Sequence, residues 1–163
     1  MAHTVLLVVH IVSGTAGLAL GPFAMRQDGL RFARGERTTG RLTSIYLAVV
    51  VVVCVSATGL VIDSRPDLWW LVPVAALTVG LVVLAVESAR RRFAGWTHGY
   101  VHGMGGSYIA QVTALVVVAL VVDGPVRGVA ELVPWLAPTA VGTVLIEVWR
   151  RRFFPAAAEP SRR

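Results

Sequence analysis

The chain has 163 residues and a formal net charge of +6; 56% of its residues are apolar and 15% charged. An ordinary soluble domain carries about a quarter charged residues, and a chain this short has too much surface for its volume to hide such an apolar excess from water. A soluble domain is therefore excluded and lipid is the expected solvent; nucleic acid is not an expected partner, because the arginines sit at the ends of apolar runs and form no stripe of their own.

The start, Met1-Ala2-His3, lacks a basic n-region, and the first apolar run is too long for a signal-peptide core. That run, Thr4 to Met25, is the first predicted transmembrane helix. The second is Leu42 to Ile62, the third Trp69 to Ala89, the fourth Val101 to Val122 and the fifth Leu132 to Trp149. Each is close to the roughly 20 residues needed to cross a bilayer. The β-branched run Val49 to Val53 is a poor helix former in water. In hydrocarbon only a helix or a closed barrel satisfies its own backbone, and the period-2 alternation of a barrel is missing. The expected fold is an all-α bundle of five spans over residues 1–152, with a disordered tail from 153 to 163. The lone cysteine, Cys54, lies inside a span and has no partner for an intrachain disulfide.

The connections predict orientation. Arg26, Arg31, Arg34, Arg37 and Arg41 flank the first, Arg90 to Arg92 begin the third, and Arg150 to Arg152, Arg162 and Arg163 follow the last span. The opposite side has only Arg65 and Arg127, beside Asp63, Asp67, Asp123 and Glu131. Positive connections stay in the cytoplasm, which puts the N-terminus outside and the C-terminus inside. Trp69, Trp70 and Trp135 near outer edges, and Trp96 and Trp149 near inner edges, read as aromatic belts. The segments 87–93 and 147–153 echo one another, each a glutamate followed by three arginines and a phenylalanine. They read as stop-transfer flanks with local Glu–Arg pairs.

Three groups of residues carry chemistry. His10, Gly14, Gly17 and Gly21 fall on one face of the first helix. The Gly17–Gly21 pair allows close helix approach, within the chain or across a homodimer. His10 needs a polar partner in the outer half of the bilayer, and Gln111, Thr58 and Thr113 are the candidates by depth. His98 and His102, four apart on the fourth helix, share a face and offer a two-ligand start to a metal site, with Glu87 and Glu147 at similar depth. A bis-histidine haem within one chain is disfavoured, since His10 and His102 differ in depth by about 20 Å at the helical rise per residue; a haem between two copies through His102 stays open. No nucleophile–base pair, phosphate loop or zinc pattern appears, so an enzymatic or redox role would need a metal or haem at His98 and His102.

The motif order His10-x3-Gly14, Leu20-Gly21-Pro22-Phe23, Gly40-Arg41, Tyr46, Thr58-Gly59-Leu60, His102-x-Met104 and Ser107-Tyr108 resembles a family of bacterial multi-pass membrane proteins for which no function is established. Members often carry a histidine in the basic stretch before the Gly-Arg pair, whereas residues 35–40 here contain none. The resemblance implies a bacterial plasma-membrane protein and no particular activity. The expected site is a polar seam between the first, second and fourth helices. His10 and Gln111 stand in it, Thr58 and Thr113 beside them, and Arg41, Tyr46 and His102 at its inner mouth. Small-ligand or proton handling there is one expectation. Docking on a larger membrane complex through the glycine face is the second, and metal or haem redox chemistry the third.

Overall fold

The computed structural model describes residues 2–154, and five helices account for most of them. They are α1 (Ala2–Ala33), α2 (Arg41–Ser64), α3 (Leu71–Arg91), α4 (Trp96–Val117) and α5 (Leu132–Phe153). A π-helical turn, Val118–Val122, extends α4, and single 3-10 turns, Pro66–Leu68 and Gly128–Glu131, lead into α3 and α5. Each of the five spans is long and apolar enough to cross a membrane. The chain is an all-α polytopic bundle, with no strand among the described residues.

Several boundaries differ from the sequence reading by a few residues, α4 beginning at Trp96 rather than Val101, and two of the differences change what is folded. α1 does not stop at Met25 but continues to Ala33, so Arg26 to Ala33 is helix and not loop. Arg26, Gln27 and Arg31 in the extension lower its hydropathy while being good helix formers, which offsets Asp28 and Gly29. At 1.5 Å per residue, α1 is about 48 Å long, against a hydrocarbon core of about 30 Å. The second difference lies at the other end of the chain. Phe153 closes α5 and Phe154 is buried in the core, so the folded unit does not end at 152. The remainder of the expected tail, 155–163, lies outside the described residues.

α1 packs along α2, α2 along α3, α3 along α4 and α4 along α5, and α4 also touches α1. Small residues set the closest approaches, as expected where lipid removes the hydrophobic drive between helices. A Cβ on Gly103 of α4 would stand 2.5 Å from the Leu81 carbonyl oxygen and 2.8 Å from the Ala85 nitrogen, both α3 backbone. On α1, a Cβ on Gly17 would meet Gln111 Oε1 at 2.5 Å, and one on Gly21 would meet the Tyr108 ring at 2.5 Å. Gly14, expected on the same packed face, has nothing within 4 Å. α1 has begun to diverge from α4 at that level.

The arginine-rich ends gather on one side. Arg92 donates to the Glu36 carbonyl at 2.7 Å and lies 3.6 Å over the Trp96 ring. Phe32 stands edge-on to Trp96 and Tyr100 at 5.2 and 5.1 Å, and Phe154 joins the same cluster. At the opposite end His3 Nδ1 is 2.7 Å from Ser64 Oγ, and Arg65 pairs with Asp67 and Asp123 at 3.3 and 3.5 Å. The hydrogen bond from Arg65 holds the Asp67 carboxyl below the usual carboxylate range. These pairs are exposed and contribute little to stability.

The Gly103 crossing gives a direct test. Gly103→Ala must push α3 backbone away and should cost about 1–3 kcal/mol. Gly80→Ala, where nothing lies within 4 Å, should be neutral or gain up to about 1 kcal/mol of helix propensity. Thermal melts of both variants in one detergent should place Gly103→Ala below wild type and Gly80→Ala at or above it; equal melting temperatures would contradict the crossing.

Candidate functional site

The most enclosed polar cluster is built around a residue the seam did not include. The residue before α2 is Gly40, which has no side chain to cap the helix. Asp28, reaching across from α1, takes that role. Its Oδ1 accepts the Gly40 backbone N–H at 2.6 Å, and its Oδ2 accepts the Thr43 hydroxyl at 2.6 Å and the Tyr100 hydroxyl at 2.8 Å. Asp28, Thr43 and Tyr100 are fully buried. A carboxylate at a helix N-terminus also meets the positive end of the helix dipole. A Cβ at position 40 would crowd Gln27 Oε1 at 2.5 Å and Asp28 Oδ1 at 3.1 Å, so glycine lets the carboxyl group come close.

A second cluster lies farther from the arginine-rich end. Gln111 Nε2 donates to Tyr46 Oη at 2.7 Å, and Tyr46 Oη is 3.1 Å from Ser107 Oγ. The Ser107 hydroxyl donates to the Met104 carbonyl at 2.8 Å. Its proton is thereby committed, so Tyr46 must donate to Ser107. The protons run one way, from Gln111 through Tyr46 and Ser107 to Met104. Gln111 Oε1 has no partner among the described residues and lies against Gly17.

His10 belongs to neither cluster. Its Nδ1 is 3.3 Å from the Val53 carbonyl and 3.3 Å from Ser56 Oγ, both on α2. Gln111, Thr58 and Thr113, the partners expected from depth, are all engaged or placed elsewhere. Thr58 donates to its own helix at Cys54 (2.8 Å), and Gln111 serves Tyr46. Arg41 and His102 are exposed and do not form the inner mouth of the seam, while Tyr46 is fully enclosed in it. The seam is therefore a set of separate clusters: Asp28 at one end, Tyr46 in the middle and His10 beyond.

His102 and Thr113 face a different space. A groove of about 620 Å³ runs between α3, α4 and α5. Trp70 and Trp135, with ring centroids 5.1 Å apart, stand at one end, and His102 and Glu147 at the other. Thr113, Thr139 and Thr143 line it between them. The Thr143 hydroxyl donates to its own helix at 2.7 Å, whereas the buried Thr113 hydroxyl has no partner among the described residues. Glu147 is fixed by Arg150 and Arg151, each at 2.7 Å. The His98 and His102 rings stack at 5.9 Å, and His102 Nδ1 lies 2.9 Å from the His98 carbonyl. A carbonyl only accepts, so Nδ1 carries the proton in that bond and Nε2 is left as an acceptor. Among the described residues no third histidine, cysteine or carboxylate joins this pair to form a metal site.

The fold defines a multi-pass helical membrane protein. No family model, curated protein or solved structure matches the chain.

The Asp28 cluster predicts a graded response. Asp28→Ala strands three buried donors and should cost at least about 3 kcal/mol, at about 1–3 kcal/mol for each unsatisfied group. Asp28→Asn should cost less, because its carbonyl still serves Gly40 while the Thr43 and Tyr100 hydroxyls can turn to accept from its amide. Denaturant melts in detergent should rank wild type above Asp28→Asn and Asp28→Asn above Asp28→Ala.

Proposed function

We propose that the chain is a small-ligand-binding protein of the bacterial plasma membrane, with the groove between α3, α4 and α5 as its binding site. The observation that carries this reading is a groove of about 620 Å³ with Thr113 in its wall, whose enclosed hydroxyl has no partner among the described residues. That volume falls within the range of small-molecule sites, which are mostly apolar with a few placed polar groups. The ligand has an apolar body lying along the helices. A hydrogen-bonding group meets Thr113, and a donor at the arginine-rich end meets His102 Nε2. Glu147 is already neutralised by Arg150 and Arg151, so a neutral amphipathic molecule fits better than a cation.

The reading can be tested without knowing the ligand. Thr143 lines the groove and is exposed, so Thr143→Phe should fill the space and leave the core intact. Mass spectrometry of organic extracts should find a small molecule with purified wild type, depleted about tenfold in Thr143→Phe and reduced in Thr113→Val. Identical extracts from all three proteins would remove the proposal.

The arginine-rich end faces the cytoplasm in this reading, and the N-terminus of α1 faces outward, by the charge rule for short connections. The resemblance of the first two spans to bacterial membrane proteins supports the same membrane. Single cysteines Arg34→Cys and Asp67→Cys, made in a Cys54→Ala background, report it. An impermeant maleimide should label only the Asp67 site in intact cells; labelling at Arg34 alone would invert the topology.

A second reading, as an accessory subunit of a larger membrane complex, has one observation in its favour. α5 buries only Pro134, and Val141, Val144, Leu145 and Val148 are all exposed along it. A protein partner that co-purifies in fixed stoichiometry and is lost on Val144→Trp would favour that role.

A further inference from the structure

A second groove, of about 510 Å³, runs between α1, α4 and α5 on the other side of α5. Tyr108, Ile109 and Val112 of α4, with Val141 and Leu145 of α5, give it apolar walls. Its charged residues are two arginines, Arg26 of α1 and Arg152 of α5, and Tyr108 and Trp149 add a hydroxyl and an indole N–H. α1 and α5 touch beside them, where a Cβ on Gly29 would stand 2.9 Å from the Phe153 ring.

The charges are unbalanced. Among the described residues the ion pairs engage Arg31, Arg34, Arg65, Arg90, Arg91, Arg150 and Arg151. Arg26 and Arg152 are in none of them, and both are exposed. Their neighbours on α5 show the contrast: Arg150 and Arg151 are held on Glu147, and Arg152 is left at the groove. Along α5 the groove extends from Pro138 to Arg152, about 21 Å at the helical rise. One leaflet of hydrocarbon is about 15 Å deep, half of a core of about 30 Å. An apolar channel that spans one leaflet of hydrocarbon and continues into the headgroup zone, ending in two guanidinium groups outside any ion pair, complements one kind of molecule.

We propose that this groove binds an anionic phospholipid, with an acyl chain along α4 and α5 and its phosphate between Arg26 and Arg152. Guanidinium groups grip phosphate oxygens in pairs, and basic pockets between helices at a membrane surface recognise anionic headgroups. The site is separate from the α3/α4/α5 groove and does not depend on a ligand there. A second copy of the chain would bring its own arginines to the same place, so charge disfavours that occupant.

Native mass spectrometry of the full chain, delipidated in detergent and titrated with phosphatidylglycerol or phosphatidylcholine of the same acyl chains, provides the test. Wild type should retain phosphatidylglycerol about tenfold more strongly, because basic residues near a lipid surface attract anionic headgroups. The double variant Arg26→Gln/Arg152→Gln should lose that preference while melting within a few degrees of wild type, since both side chains are exposed. Arg34→Gln/Arg37→Gln removes the same charge elsewhere and should keep the preference. The proposal is overturned if wild type does not discriminate between the two lipids. It is also overturned if both double variants lose the preference equally, or if the groove carries a second copy of the chain that lipid does not displace.

Discussion

The arginine-rich half of the bundle depends on where Asp28 places its carboxyl group. α2 begins at a glycine that cannot cap it, so the first of its N–H groups, that of Gly40, takes an acceptor from outside the helix. Asp28 supplies that acceptor only because α1 continues past the apolar segment to carry it there. The same two turns of extra helix bring Phe32 against Trp96 and Tyr100. Tyr100 then closes the arrangement by donating to Asp28. One side chain thus fixes the start of α2, the reach of α1 and the rotation of α4. Each depends on the others because none of the buried donors has water to fall back on.

Away from this cluster the bundle is held by shape. α3 and α4 approach at Gly103 closely enough that a single methyl group would meet backbone. α5 rests on α4 by interlocked small and large residues, Gly105 against Ile146 and Gly142 against Ile109. It reaches α1 through Phe153 on Gly29. A helix attached along one strip leaves a cleft on either side of that strip. The two grooves are therefore consequences of how α5 docks. Their lining differs because α3, with His102 and the threonines nearby, flanks one, and α1, with Arg26, flanks the other.

The five spans were legible in the sequence because a lipid environment makes apolar length and helix nearly the same statement. The end of α1 was not, because the apolar signal fades at Met25 while the helix continues. Yet the register of Asp28 was present: Gly14, Gly17 and Gly21 recur at helical spacing, and seven residues beyond Gly21 the same face reaches Asp28. Following the face past the apolar run would have found it. Depth misassigned His10 for a different reason. It ranks residues along the membrane normal but says nothing about which way they point, and at His10 the neighbour is α2.

The same angular argument separates two sets of α4 residues that sequence reading had combined. Tyr100, Met104, Ser107 and Gln111 are spaced by four, three and four, and they form the face packed into the α1/α2 seam. His102, Gly106, Ile109 and Thr113 repeat that spacing two residues later, a rotation of about 200° at 3.6 residues per turn, and they line the groove against α3 and α5. On the first face hydrogen-bonding capacity is used within the chain. Gln111 Oε1, left over there, faces the backbone at Gly17, where even a Cβ would stand at 2.5 Å. On the second face the Thr113 hydroxyl is also left over, but the residue borders an open groove. Both oxygens are enclosed, but Gln111 is shut against Gly17, whereas the groove beside Thr113 leaves space into which its side chain can turn toward a bound molecule. That difference in free space is why the proposed ligand is assigned to the α5 side of α4, while the seam holds α4 in register.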